Sequence, residues 1–140
     1  MYQSIFVAID ESAPSDQAVA AAGDLAKLSG GSVTVFHVRE HQEVYGKSGG
    51  SFEIEYKEQG DALLKKATDA LSAAGVTATS KSAHVPIGHV ASEIVKEAAA
   101  ENADVIVIGS HGHSGIAAAF IGSIASKVLH LADRPVLVVR

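Results

Sequence analysis

The sequence predicts an α/β fold, an open doubly wound parallel sheet of five strands in the order 3-2-1-4-5 with helices on both faces. Two observations predict it. Short apolar runs rich in β-branched residues recur along the chain without the alternation of a half-exposed strand, the pattern of strands buried on both faces. Between them lie longer stretches whose apolar residues repeat at helical spacing. Strands alternating with helices, joined by right-handed crossovers, wind into an open parallel sheet.

The first strand is read at residues 4–9. Ala18, Ala22, Leu25 and Ser29 then share one helical face, with Ser15 as the expected N-cap and Gly30-Gly31 supplying the left-handed residue that ends the helix. The second strand spans 32–38. Residues 39–51 mix charges with Gly46, Gly49 and Gly50 and are expected to form either a mobile flap over the end of the sheet or a plain surface loop. Leu63, Leu64, Ala67, Leu71 and Ala74 mark the second helix. At 76–82, Val76 and Ala78 alternate with Thr77 and Thr79, so this third strand belongs at a sheet edge. A third helix follows through Ala91, Ile94, Val95 and Ala98, then the fourth strand at 105–108. The last helix runs through Ile124, Val128 and Leu131, and the fifth strand is Val136, Leu137, Val138 and Val139.

The 140 residues read as one domain, 1–140, with neither an internal repeat nor a dividing linker. Hydrophobic residues at 47% and charged residues at 19% give it the apolar surface that a disordered chain lacks. A formal charge of -5 with no basic block argues against nucleic acid or an acidic membrane as partner. The absence of cysteine excludes disulfides and thiol chemistry and fits a reducing compartment. With no signal-like start and no membrane-length apolar run, the expectation is a cytoplasmic protein.

Ligands of such sheets bind beyond the strand carboxyl ends where the winding reverses, here between the first and fourth strands. The loops there begin Asp10-Glu11-Ser12 and Gly109-Ser110-His111-Gly112. Gly109 and Gly112 are separated by two residues, and nine more lead to Gly122 and then Ser123 at the start of the last helix. Glycines let a backbone approach an anion, and a helix start offers unpaired N–H groups, so a phosphate chain fits from Gly112 to Ser123. On physics alone, a turn made by the glycines and a helix capped by Ser123 stands equally well.

The pattern G-x2-G-x9-G-[S/T], between an apolar strand and a helix that leads to Pro135-Val136-Leu137-Val138-Val139, resembles the ATP-binding signature of the universal stress protein family. The resemblance extends to residues 5–10 with Ser12, to Phe36-His37-Val38, to Ile87-Gly88 and to residues 103–109. It implies an adenine nucleotide ligand, ATP with ADP or AMP as alternatives and Mg2+ as a companion ion. It further implies that Asp10 contacts the ribose with Ala8 beside the adenosine, while the Val38 backbone reads the adenine edge. Gly109 and Gly112 would border ribose and phosphates, and Gly122, Ser123, Ile124 and Ala125 would cradle the phosphates. The chain departs from the family at Ala117-Ala118-Ala119-Phe120, where basic residues are common, and at Ala125, where a hydroxyl is common.

Gly46-Lys47-Ser48 ends like a P-loop, but His41 stands where its first glycine belongs. His111 and His113 have no further ligand at metal spacing. No residue announces itself as catalytic. The apolar fifth strand at an open edge invites pairing, and the resemblance implies a homodimer through Val136–Val139. The leading function is a nucleotide-responsive regulatory protein of the stress response. A slow ATPase or autophosphorylating protein using Ser110, Ser114 or Ser123 is the enzymatic alternative, and a dimeric interaction module without nucleotide is the third.

Overall fold

The computed structural model describes residues 1–44, 46, 49–110 and 121–140. In chain order the elements are β1 (Ser4–Ala8), α1 (Ala13–Ser29), β2 (Ser32–Val44), β3 (Gly50–Glu53), α2 (Lys57–Ala73), β4 (Ala78–Pro86), α3 (Val90–Ala100), β5 (Val105–Gly109), α4 (Ser123–Leu131) and β6 (Val136–Val139). The parallel order is β4-β2-β1-β5-β6, which is the predicted winding. β4 is the expected edge strand, mostly exposed and paired with β2 alone.

The sheet has six strands rather than five, because residues expected to be a flap or loop form a hairpin instead. β2 runs 13 residues against 5 for β1, so its edge on the β1 side is bare beyond Phe36. β3 fills the far part of that edge. Ile9 N–H donates to Phe36 O and Ile54 N–H to Glu40 O, and residues of equal parity in a strand turn their carbonyls to the same side. His41 O faces the other way and accepts from Ile87, at the end of β4. The low apolar content and glycines of this hairpin hide it from a pattern search.

Side-chain alternation sorts the core into two layers. Ile5, Val7, Val33, Val35, Val105 and Val107 point to α1 and α2. Phe6, Phe36, Val38, Ile106 and Ile108 point to α3 and α4, with the Phe6 and Phe36 rings 5.2 Å apart at the centre. α1 ends as predicted, on Gly30 in the left-handed region (φ 73) with its N–H bonded to Ala26 O. Its start differs from expectation. Ser12 is the N-cap residue, and Ser15 lies inside the first turn, 5% exposed, where its hydroxyl serves Asp10. Among the described residues no helix is long and apolar enough to cross a membrane.

Candidate functional site

A crevice of about 340 Å³ opens at the carboxyl ends of β1, β5 and β2, where the winding reverses. β1 brings Ala8 and Asp10 to it, β2 brings Val38, β5 brings Gly109, and the start of α4 brings Gly122, Ser123, Ile124 and Ala125. Eight of the nine residues proposed from the sequence therefore meet in one place. The ninth, Gly112, lies outside the described residues, as do His111, His113, Ser114 and Lys47.

Asp10 is held by its own loop. Oδ1 accepts from the Ser12 N–H at 2.8 Å, from the Ser15 hydroxyl at 2.8 Å and from the Ser12 hydroxyl. Ser15 Oγ in turn accepts from the Asp10 N–H at 2.7 Å. These bonds fix the carboxylate through Oδ1, and among the described residues none uses Oδ2.

Val38 sits between the last β1 bond, at Phe36 O, and the first β3 bond, at Glu40 O. Having the same parity as both, it turns its N–H and C=O to that edge, where neither strand opposes it. A donor and an acceptor one residue wide are thereby presented at the crevice. The β3 hairpin, which the sequence did not disclose, frames this opening.

At the α4 start, the Gly122 N–H donates to Ser110 O at 2.5 Å and the Ser126 N–H donates to Gly122 O at 2.9 Å. The N–H groups of Ser123, Ile124 and Ala125 are the orphan donors of the first turn, and no acidic residue competes for them. Gly122 has φ -62, which any residue can adopt. Gly109 is glycine for a packing reason: a Cβ there would lie 2.8 Å from Pro14 Cβ, in the first turn of α1.

Three titratable lining residues were not singled out from the sequence as site residues: His37, Glu40 and Glu55. His37 is 4% exposed, with Nδ1 2.8 Å from Ile9 O and Nε2 2.7 Å from Glu55 Oε1. A carbonyl only accepts, so Nδ1 is the donor to Ile9 O, and Nε2 is the nitrogen that faces Glu55. Gly60 of α2 packs over the ring, where a Cβ would meet His37 Cδ2 at 3.0 Å. Glu40 Oε2 accepts from the Gly88 N–H at 2.9 Å, tying β2 to the turn before α3. The signal that could have found Glu55 is that glycine inside a helix, opposite a histidine that ends a buried strand run.

Comparison with known proteins agrees with this architecture. The model of the universal stress protein family matches residues 1–140. The universal stress protein YxiE of Bacillus subtilis is 33% identical over the whole of both chains. Among solved structures, MJ0577 of Methanocaldococcus jannaschii superposes with a TM-score of 0.77 at 25% identity, covering 99% of this chain and 96% of its own. A universal stress protein solved in complex with cAMP gives a TM-score of 0.70 at 28% identity, covering 99% of this chain and 97% of its own.

Proposed function

The chain belongs to the universal stress protein family, and from that membership we propose that it binds an adenine nucleotide in the crevice and acts as a nucleotide-responsive regulatory protein. The observation that carries the proposal is the convergence of Asp10 Oδ2, the unopposed Val38 backbone and the α4 start on a single crevice. The Val38 N–H suits adenine N1 and its C=O suits the exocyclic amine, while Asp10 Oδ2 suits a ribose hydroxyl. Apolar Ala8, Val90, Ile94 and Ile124 supply the walls for a base. The relative solved with cAMP supports the same ligand class.

ATP, which the resemblance implies, carries all three of the groups addressed. Its turnover is slow or absent in this reading, because Asp10 is committed to its serine network and the His37 ring to Ile9 and Glu55. Occupancy is then read by a partner or by a change of oligomer. β6 supplies the surface for a homodimer: it is the open edge of the sheet, and Leu137 is 41% exposed on it. Two copies pair their β6 strands antiparallel.

Mass spectrometry of nucleotide released from the freshly purified protein, followed by calorimetric titration with adenine nucleotides, tests the proposal. Adenine nucleotide in the extract or micromolar binding is expected. An empty protein that binds none of them overturns the reading and moves the function to the β6 surface. Covalent label or rapid hydrolysis in a single-turnover assay with labelled ATP would instead establish the enzymatic alternative.

A further inference from the structure

The Val38 N–H at the crevice is the next donor in the β1–β2 ladder, and a side chain has taken its place there. We infer that His37 is a positioning residue of the site: its imidazole occupies the carbonyl that would otherwise bind Val38, and so keeps the Val38 N–H open for an adenine base. The inference rests on the adenine-nucleotide reading above.

The parallel ladder fixes which bond is missing. Its bonds are evenly spaced and come alternately from one strand and the other, two residues apart on each. They begin with Ser32 N–H donating to Gln3 O at 2.9 Å and reach Ile9 N–H donating to Phe36 O at 2.9 Å. The next in that series is Val38 N–H to Ile9 O. Instead, Ile9 O accepts from His37 Nδ1 at 2.8 Å, and the register ends at Ala8 and Phe36. Ile9 is buried, so its carbonyl needs a donor, and the imidazole supplies one in place of the backbone. Among the described residues no other backbone group takes the Val38 N–H, and Val38 lines the crevice.

The ring is held so that Nδ1 stays on Ile9. It is 4% exposed, Glu55 Oε1 lies 2.7 Å from Nε2, and a Cβ at Gly60 would meet Cδ2 at 3.0 Å. A flipped ring would turn a carbon to each of the two oxygens. The same bond positions Asp10. Ile9 C=O and Asp10 N–H belong to one peptide plane, whose other end is held by Ser15 Oγ at 2.7 Å from the Asp10 nitrogen. His37 and Ser15 together fix the plane from which the Asp10 carboxylate projects. One imidazole thus serves both the base end and the ribose end of the crevice.

Amide hydrogen exchange followed by NMR, with calorimetric titration by AMP and ATP, tests this on the full chain. His37→Phe fills the space of the ring without a donor, so the Val38 N–H should close on Ile9 O. Its exchange should slow, and affinity for AMP and ATP alike should fall, each at least about tenfold. His37→Asn places an amide N–H near the Nδ1 position and should keep both within about threefold of the parent. Urea unfolding of the two variants separates this from a merely structural role, which would rank affinity by stability and not by the presence of a donor. Val38 N–H exchanging as slowly in the unliganded parent as the ladder-bonded Ile9 N–H would overturn the inference, whether or not His37→Phe folds. Parent-like affinity in His37→Phe, or equal losses in His37→Phe and His37→Asn, would overturn it too, and leave the adenine site standing. If the parent binds neither AMP nor ATP, the adenine-nucleotide reading itself falls, and this inference with it.

Discussion

Gly109→Ala would place a Cβ 2.8 Å from Pro14 Cβ and 2.9 Å from Pro14 C. Carbon atoms in a packed interior settle at about 3.5–4.0 Å, so either contact demands movement. Pro14 cannot rotate away, because its ring fixes the backbone of the first turn of α1, and the next residue, Ser15, is bonded to Asp10. The end of β5 and the start of α1 must separate by several tenths of an ångström. Overpacking of this kind costs about 1–3 kcal/mol. For a chain of this size, 2 kcal/mol should lower a urea midpoint by about 1 M and Tm by roughly 4–8 °C. Gly50→Ala is the control, since nothing lies within 4 Å of its added Cβ, and it should stay within about 0.5 kcal/mol of the parent. Urea unfolding followed by circular dichroism reads both. If Gly109→Ala moves the midpoint no further than Gly50→Ala, the packing argument is wrong. Unchanged stability with nucleotide binding lost would assign the glycine to the ligand instead.

The other predictions concern the site and the dimer edge. Glu55→Ala leaves the buried His37 Nε2 without its partner and should cost about 1–3 kcal/mol in urea unfolding, whereas Glu55→Gln, whose amide can donate to that nitrogen, should recover most of it. Equal losses in the two variants would refute the pairing. Gly122→Val should abolish adenine-nucleotide binding by calorimetry while leaving the fold intact, because the backbone at φ -62 accepts valine and its N–H still reaches Ser110 O. Retained binding would remove Gly122 from the phosphate path. Sedimentation at micromolar concentration should show a dimer for the parent and a monomer for Leu137→Lys, which puts a charge on the open β6 edge. A monomeric parent would refute the dimer.

Much of the molecule was legible because its signals are local. Buried parallel strands announce themselves as unbroken runs such as Val105-Ile106-Val107-Ile108, and each helix carries its own periodicity, so element order and right-handed winding followed. The winding then fixed where a ligand crevice must lie, and the glycine spacing named Gly109, Gly122 and Ser123 beside it. Ala8 and Val38, and the role given to Asp10, came from resemblance to a family, although the winding had already marked the loop that begins at Asp10.

The tertiary structure decided what depends on contacts between distant segments. Glu55 reaches His37 only because α2 lies over β2, with Gly60 leaving room for the ring. The hairpin of β2 and β3 exists because β1 stops short and leaves an edge to be paired, a consequence of relative strand length that neither strand carries alone. Ser15 reads as a cap in the sequence, yet the loop before it curls back and makes it a clamp on Asp10. Gly109 reads as a phosphate glycine, yet its neighbour in space is Pro14. Secondary structure is written in residues a few positions apart, while the orientation of a carboxylate, the opening beside Val38 and the charge of the crevice are sums over segments that meet only when the sheet has formed.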